Sequence, residues 1–273
     1  MGLFLDRFGV ELDYANPLAP DWATRAGESG SAGLAKPYSK KYPGYGKLLG
    51  SESGYDVARG WRLLGSSTLD PAIASRVQFE NVGRTDEGDF TYAVFCTMES
   101  GIDFEHIISK GGAGTASATL GVGVRAGAFR AAYYWNGLAQ SKGFNADLVA
   151  DTPYFISISY DAVSNALELR YFNLDTGEVK AYSDTEATWP PVVSPILTLG
   201  AHRRTATGFY RSMTGVIDSA FVWDRLITAE QLDYIATNKN LFWIQSQVFN
   251  PSDGIAPPEP TSIAVLRRRI EGY

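Results

Sequence analysis

The sequence predicts an all-β sandwich closed by one short helix and flanked by extended segments. Three observations predict it. From Arg76 onward, apolar runs of strand length recur between clusters of turn residues: GRTDEGD, KGGAGTASA, DAVSN and DTGE. Within the runs the side chains alternate, so that Tyr154, Ile156, Ile158 and Tyr160 share one face while Ser157 and Ser159 share the other. Finally, TGVIDSAFVWDRLITAEQLDYIAT, from Thr214 to Thr237, reads as one long strand, a sharp turn at Asp224–Arg225 and a helix.

Residues 1–75 read as an irregular N-terminal arm carrying the first strands. Leu3 to Leu12 has the pattern of a short strand, and the turn-rich ANPLAPDW follows. Gly27 to Gly54 is built from Gly, Ser, Lys, Pro and Tyr, a composition that buries little apolar surface by itself. It reads either as a loop or as an arm that becomes ordered on a neighbouring chain, with Tyr38 and Tyr42 as contact residues. Lys36, Lys40, Lys41 and Lys47 alternate there with Tyr38, Tyr42 and Tyr45, a mixture that also suits single-stranded nucleic acid. The overall charge argues against that partner.

Residues 76–237 form the expected sandwich domain. Its candidate strands include RVQFENV, FTYAVFCTM, HIISK, TLGVGV, AFRAAYYW, YFISISYD, ALELRYF, EVKAY and ILTLGA. Asp175-Thr176-Gly177 supplies a hairpin turn between two of them. In the last strand, Gly215 to Trp223, strict alternation puts Val216, Asp218, Ala220 and Val222 on one face. Ile217, Ser219, Phe221 and Trp223 fall on the other; with so few polar positions the strand should be central and covered on both faces. Thr228 and Gln231 make a capping box for a helix whose apolar face is Leu232, Ile235 and Ala236.

Residues 238–273 read as an extended, Pro- and Arg-containing C-terminal arm. Pro257, Pro258 and Pro260 forbid a helix there. Phe242, Trp243 and the cationic Arg267, Arg268 and Arg269 are its candidate partner contacts.

Totals bound the function. A length of 273 residues, 45% hydrophobic and 20% charged, is enough for a sizeable core. The net charge of -6 lacks the basic footprint that phosphate contacts need, so no nucleic-acid partner is expected. No apolar run approaches the roughly 20 residues of a membrane span, so no membrane partner is expected either. The single cysteine, Cys96, lies in an apolar strand, where an inert buried thiol is expected; one cysteine makes neither an intrachain disulfide nor a cysteine metal cluster.

Catalytic patterns are sparse. Asp103 and Glu105 stand two apart and would share a strand face, as paired carboxylates of a glycosidase must. The jelly-roll glucanases carry Glu-x-Asp-x-Glu, and here Gly101 replaces the first Glu, with Glu99 two residues too early. His106 and His202 are isolated from Cys and from each other, so a zinc site lacks ligands. Gly121 to Ala126 fits a loose GxGxxA pattern, but a strand and not a helix follows it. Asp218 is expected to be a buried carboxylate held by hydrogen bonds, not a catalyst. Asp86, Asp89, Asp147 and Asp151 are possible oxygen ligands, but a structural calcium ion is not indicated and no cofactor is expected. Tyr134 with Asn136, and Arg203 with Tyr210, are candidates for a carbohydrate-stacking surface.

Taken together, IISKGG, YYWNG, TPYFISISYDAVSNALELRYFN, LTLGAHR and GVIDSAFVWDRLITAEQL resemble, in that order, the laminin-G-like or pentraxin-like branch of the concanavalin A-like jelly rolls. Ile107 to Lys110, Tyr154 to Asp161, Leu167 to Asn173 and Gly215 to Glu230 stand at the family's motif positions, covering about residues 76–237. The flanks carry a second resemblance. LDRFGVELDYANPLAPDW is similar to the opening of jelly-roll proteins encoded among the virion genes of tailed bacteriophages. Asn240-Leu241-Phe242-Trp243, NPSDGIAPPEP and RRR are similar to the tails of those proteins, without their Asn-Pro-Trp.

The resemblance implies a concanavalin A-like jelly-roll sandwich in a virion structural protein without enzymatic activity, such as a capsid decoration or a tail or fibre component on the particle surface. Its partners would be other virion proteins, copies of itself and host surface glycans. A free carbohydrate-binding module is the alternative, and a glycan hydrolase the reading that the residues support least.

Overall fold

The computed structural model describes residues 8–26, 34–35, 37–42, 44–50, 54–56, 60–65, 72–83, 88–99, 105–111, 119–125, 128–135, 138–143, 149–184, 196–203, 209–210 and 212–247. The chain divides into two compact units, Leu12–Phe242 and Met1–Glu11 with Trp243–Tyr273.

In chain order the early strands are β1 (Phe8–Leu12), β2 (Trp22–Arg25), β3 (Leu34–Ala35), β4 (Pro37–Tyr38), β5 (Gly46–Leu49), β6 (Gly54–Asp56) and β7 (Gly60–Leu63). Next come β8 (Arg76–Phe79), β9 (Phe90–Met98), β10 (Glu105–Gly111), β11 (Thr119–Arg125), β12 (Ala128–Trp135), β13 (Leu138–Gly143) and β14 (Pro153–Asp161). The remainder are β15 (Ala166–Asn173), β16 (Val179–Asp184), β17 (Leu197–Leu199), β18 (His202–Arg203), β19 (Phe209–Tyr210), β20 (Gly215–Trp223), helix α1 (Ala229–Thr237) and β21 (Trp243–Gln247).

The larger unit is an all-β sandwich of two main sheets. One runs β13-β12-β11-β10-β17-β8-β5-β3, the other β16-β15-β14-β9-β20-β2-β4 with β7 and β6 added alongside β20. The core lies between them. Trp22 on β2 meets Phe79 on β8 edge-on at 4.7 Å, a contact from one sheet to the other. Val94, Ile156, Ile158, Leu169, Leu197 and Leu199 fill the same layer with almost no exposure. Each such side chain contributes about 1.5–3 kcal/mol on leaving water.

The strands between Trp22 and Leu63 enter both sheets. The sandwich therefore takes in much of the stretch that composition alone assigns to an irregular arm. The reason is sheet pairing: a short, glycine-rich segment satisfies its backbone against a neighbouring strand without supplying a large apolar face. Tyr38 and Ala23 are paired residues of β4 and β2, and Tyr38 is buried.

Strand β20 is central, as its apolar run requires. Along one edge it pairs with β9; along the other, β2 takes its second half and β7 its beginning. Its facing differs from strict alternation. A bulge between Ile217 and Ser219 inserts Asp218 as an extra residue opposite β9. Ile217 consequently joins Ala220 and Val222 in the inter-sheet core, and Val216 does not. Asp218 turns to the outer face. It is half-buried there, not sealed in the core as the sequence suggested.

That outer face carries a second apolar layer. Phe95 and Phe155 lie 4.7 Å apart, and Phe221 touches Phe95, Trp223 and Phe242 at 6.0, 5.7 and 5.5 Å. Helix α1 covers part of this side. Its capping box forms as expected, with Thr228 accepting from Gln231 N and the Gln231 side chain accepting from Thr228 N. Leu232, Ile235 and Ala236 are buried, and Asp233 takes a two-pronged hydrogen bond from Arg170 of β15 at 2.8 and 2.6 Å.

The smaller unit contains the ribbon β1-β21, the only strand pairing described for it.

Candidate functional site

The described residues contain a cleft of about 320 Å³ on the outer face of the nine-stranded sheet. Three local features build it. The bulge in β20 directs Asp218 outward. Asp151, in the turn before β14, adopts φ 59, a left-handed conformation that Asp tolerates better than most residues. Its N–H donates to Met98 O at 2.7 Å, which fixes that turn against the end of β9. Lys239, just past α1, brings its ammonium to 3.2 Å from Asp218 Oδ2, and lies 5.8 Å from the centre of the Phe95 ring. A cation beyond a helix C-terminus also faces the negative end of the helix dipole. Ser219 Oγ donates to Asp218 Oδ1 at 3.0 Å. Phe95, Cys96, Pro153, Leu174 and Val216 form the apolar part of the lining and Thr97 adds a hydroxyl.

A second polar cluster joins the early segment to the turn after β20. Tyr42 Oη donates to Asp224 Oδ2 at 2.6 Å, and Lys41 pairs with the same carboxylate. Asp224 N donates to Asp21 Oδ2 at 2.8 Å, and Arg225 donates to the carbonyls of Pro17 and Ala19. Burial first, then the bond to Asp224, pushes the Tyr42 phenol up to about 12. The bond to Asp224 likewise raises the Lys41 ammonium. This network ties Pro17–Asp21 and Lys41–Tyr42 onto the closing turn of the sandwich.

The residues expected in the terminal arms separate accordingly. Tyr38 and Phe242 are buried within the larger unit, and Tyr42 is half-buried in the network just described. In this structure all three make contacts within the sandwich. The physical reason is aromatic packing: Phe242 lies 5.5 Å from Phe221 and 6.1 Å from Trp223. Trp243 begins β21 and belongs to the smaller unit; Arg267, Arg268 and Arg269 lie outside the described residues.

The carbohydrate candidates are brought together only in part. Tyr134 lies on β12, opposite Thr119 of β11 and Ala139 of β13. Arg203 and Tyr210 occupy the two strands of the small β18-β19 sheet, where Arg203 pairs with Phe209 and His202 with Tyr210. Asn136 is outside the described residues. Of the carboxylates considered for calcium, Asp89 accepts from Ala162 N at 2.9 Å, Asp151 lines the cleft, and Asp86 and Asp147 are outside the described residues. Among the described residues no three His, Cys, Asp or Glu side chains cluster as metal ligands. No described helix is long and apolar enough to cross a membrane. Asp103 is outside the described residues, and Glu105 begins β10.

Sequence reasoning missed the cleft. Lys239 and Asp218 are 21 residues apart, and only the bulge brings the carboxylate to the face that the lysine reaches. A lone Asp in an apolar strand was the available signal.

No protein-family model matches the chain, and no curated protein sequence matches it. Solved structures do. The chain is similar to the botulinum neurotoxin serotype D binding domain, with a TM-score of 0.55 and 11% identity over 80% of this chain and 51% of that one. It is similar to the botulinum neurotoxin DC binding domain solved in complex with rat synaptotagmin II, with a TM-score of 0.52 and 10% identity over 79% and 50%. A looser likeness, TM-score 0.47 and 20% identity over 72% and 30%, is to the enzymatically active domain of bacteriophage CBA120 tailspike protein 2. The chain spans about half the length of the toxin domains it matches. At these identities the likeness shows the all-β sandwich fold.

Proposed function

We propose that this chain is a non-enzymatic structural protein of a bacteriophage particle, a concanavalin A-like jelly roll held by its flanking segments and displayed toward host surface glycans. Other virion proteins and copies of the same chain are the partners of the flanks. The observation that carries this reading is the β1-β21 ribbon, which pairs the two flanking segments in a compact unit of their own. A two-stranded ribbon is marginally stable by itself in water. Its strands are suited to extension by a further strand from another chain, through main-chain hydrogen bonds that need no particular sequence. The motif resemblance of both flanks to phage virion proteins points to the same role, and the sandwich fold is one that binding domains use.

The larger unit closes on itself at its margins, where Asp13 N donates to Phe242 O at 2.8 Å. A cut after Phe242 therefore spares the aromatic layer, whereas a cut before it removes Phe242. Deleting Trp243–Tyr273 should leave a folded sandwich that no longer incorporates into particles. Normal incorporation of the folded, truncated chain would exclude anchoring through the flanks. A free carbohydrate-binding module would show glycan binding unchanged by the deletion and no association with particles at all.

A further inference from the structure

The cleft on the outer face presents two carboxylates, an ammonium and a hydroxyl, from Asp151, Asp218, Lys239 and Thr97. Regular pairing of β20 would carry Asp218 into the core with Ala220 and Val222, where an ionised carboxylate is costly. The bulge avoids this and points the carboxylate into a cleft that Asp151 also lines. Bulges often serve to re-aim a side chain in this way. An ionised carboxylate only accepts hydrogen bonds, and an ammonium only donates them. A ligand that satisfies Asp151, Asp218 and Lys239 together must donate and accept from the same small volume. Hydroxyl groups do both. The cleft's volume of about 320 Å³ lies at the small end of ligand pockets, and Pro153, Leu174 and Val216 offer apolar surface to the C–H groups of a ring.

We infer that this cleft binds a saccharide unit, with Asp151 and Asp218 accepting from its hydroxyls and Lys239 donating to one of its oxygens. The assignment rests on the glycan-display reading and gives it a location on the outer face of the nine-stranded sheet. Lys239 is paired with Asp218 at 3.2 Å. The ion pair holds both groups in place before the ligand arrives, which lowers the ordering cost of binding.

The test uses the full chain in saturation-transfer NMR with D-glucose, D-galactose, D-mannose, L-rhamnose and N-acetyl-D-glucosamine as separate probes. At least one probe should bind, and Asp218→Asn and Asp151→Asn should each weaken it about tenfold, the loss expected for a hydrogen bond to a charged group. Asp151 is exposed and Asn tolerates its left-handed conformation, so Asp151→Asn should keep the wild-type melting temperature and serves as the readout if Asp218→Asn is destabilised. If a probe binds and both variants bind it equally well, the cleft is the wrong location while glycan display stands. If none of the five binds the wild type, the cleft assignment fails; a parallel glycan array on the same chain then decides whether glycan display fails with it.

Discussion

Cys96 shows how burial decides chemistry at a single residue. The thiol is 3% exposed, and desolvation pushes it up to about 12. A free thiol titrates at about 8.5, so at a pH of about 8 an exposed cysteine reacts readily through its thiolate. Native protein treated with dithionitrobenzoate at that pH should stay unlabelled, and chain unfolded in guanidinium should release one equivalent. Rapid labelling of the native state would show that the strand carrying Cys96 opens to solvent. This burial was legible in the sequence, because FTYAVFCTM is a mostly apolar run of strand length. Asp218 was not legible in the same way. Its type was plain, but its facing depended on a register slip between β20 and β9 that no local pattern encodes.

At the scale of elements, the closing strand and helix are the best-determined part of the chain. The strand, the cap and the three apolar helix residues all follow from local rules, and they form where those rules put them. The early strands do not follow from local rules. β3 and β4 are two residues long and exist because β5 and β2 offer backbone partners. Long-range pairing also sets the sensitivity of the closing strand. Gly215 has φ 153, and a Cβ there would sit 2.2 Å from Thr97 O, a backbone atom that cannot step aside. Gly215→Ala should therefore cost more than about 2 kcal/mol. Thr228→Ala, which removes one half of the capping box, should cost about 1 kcal/mol. Urea unfolding of both variants checks the order, and an equal or smaller loss for Gly215→Ala would mean that β9 and β20 separate at little cost.

For the whole molecule, the division that matters is between Leu12–Phe242 and the paired flanks, and it falls elsewhere than composition suggests. Composition marks Gly27 to Gly54 as poor in apolar residues, yet the described parts of that stretch pair into the sandwich, and Tyr42 is tied to Asp224. Phe242 lies beyond the helix in sequence but completes the outer aromatic layer. The sandwich thus draws its stability from residues on both sides of the motif-bearing region, and the anchoring proposed for the flanks is narrowed to the segments that carry β1 and β21. Site-specific photocrosslinking in assembled particles tests this division most directly. A benzophenone side chain at Ile244, which is 48% exposed on β21, should crosslink to a neighbouring chain, while one at Val163, 91% exposed in the turn between β14 and β15, should not. Crosslinks from Val163 with none from Ile244 would contradict anchoring through the flanks and place the contact on the sandwich itself.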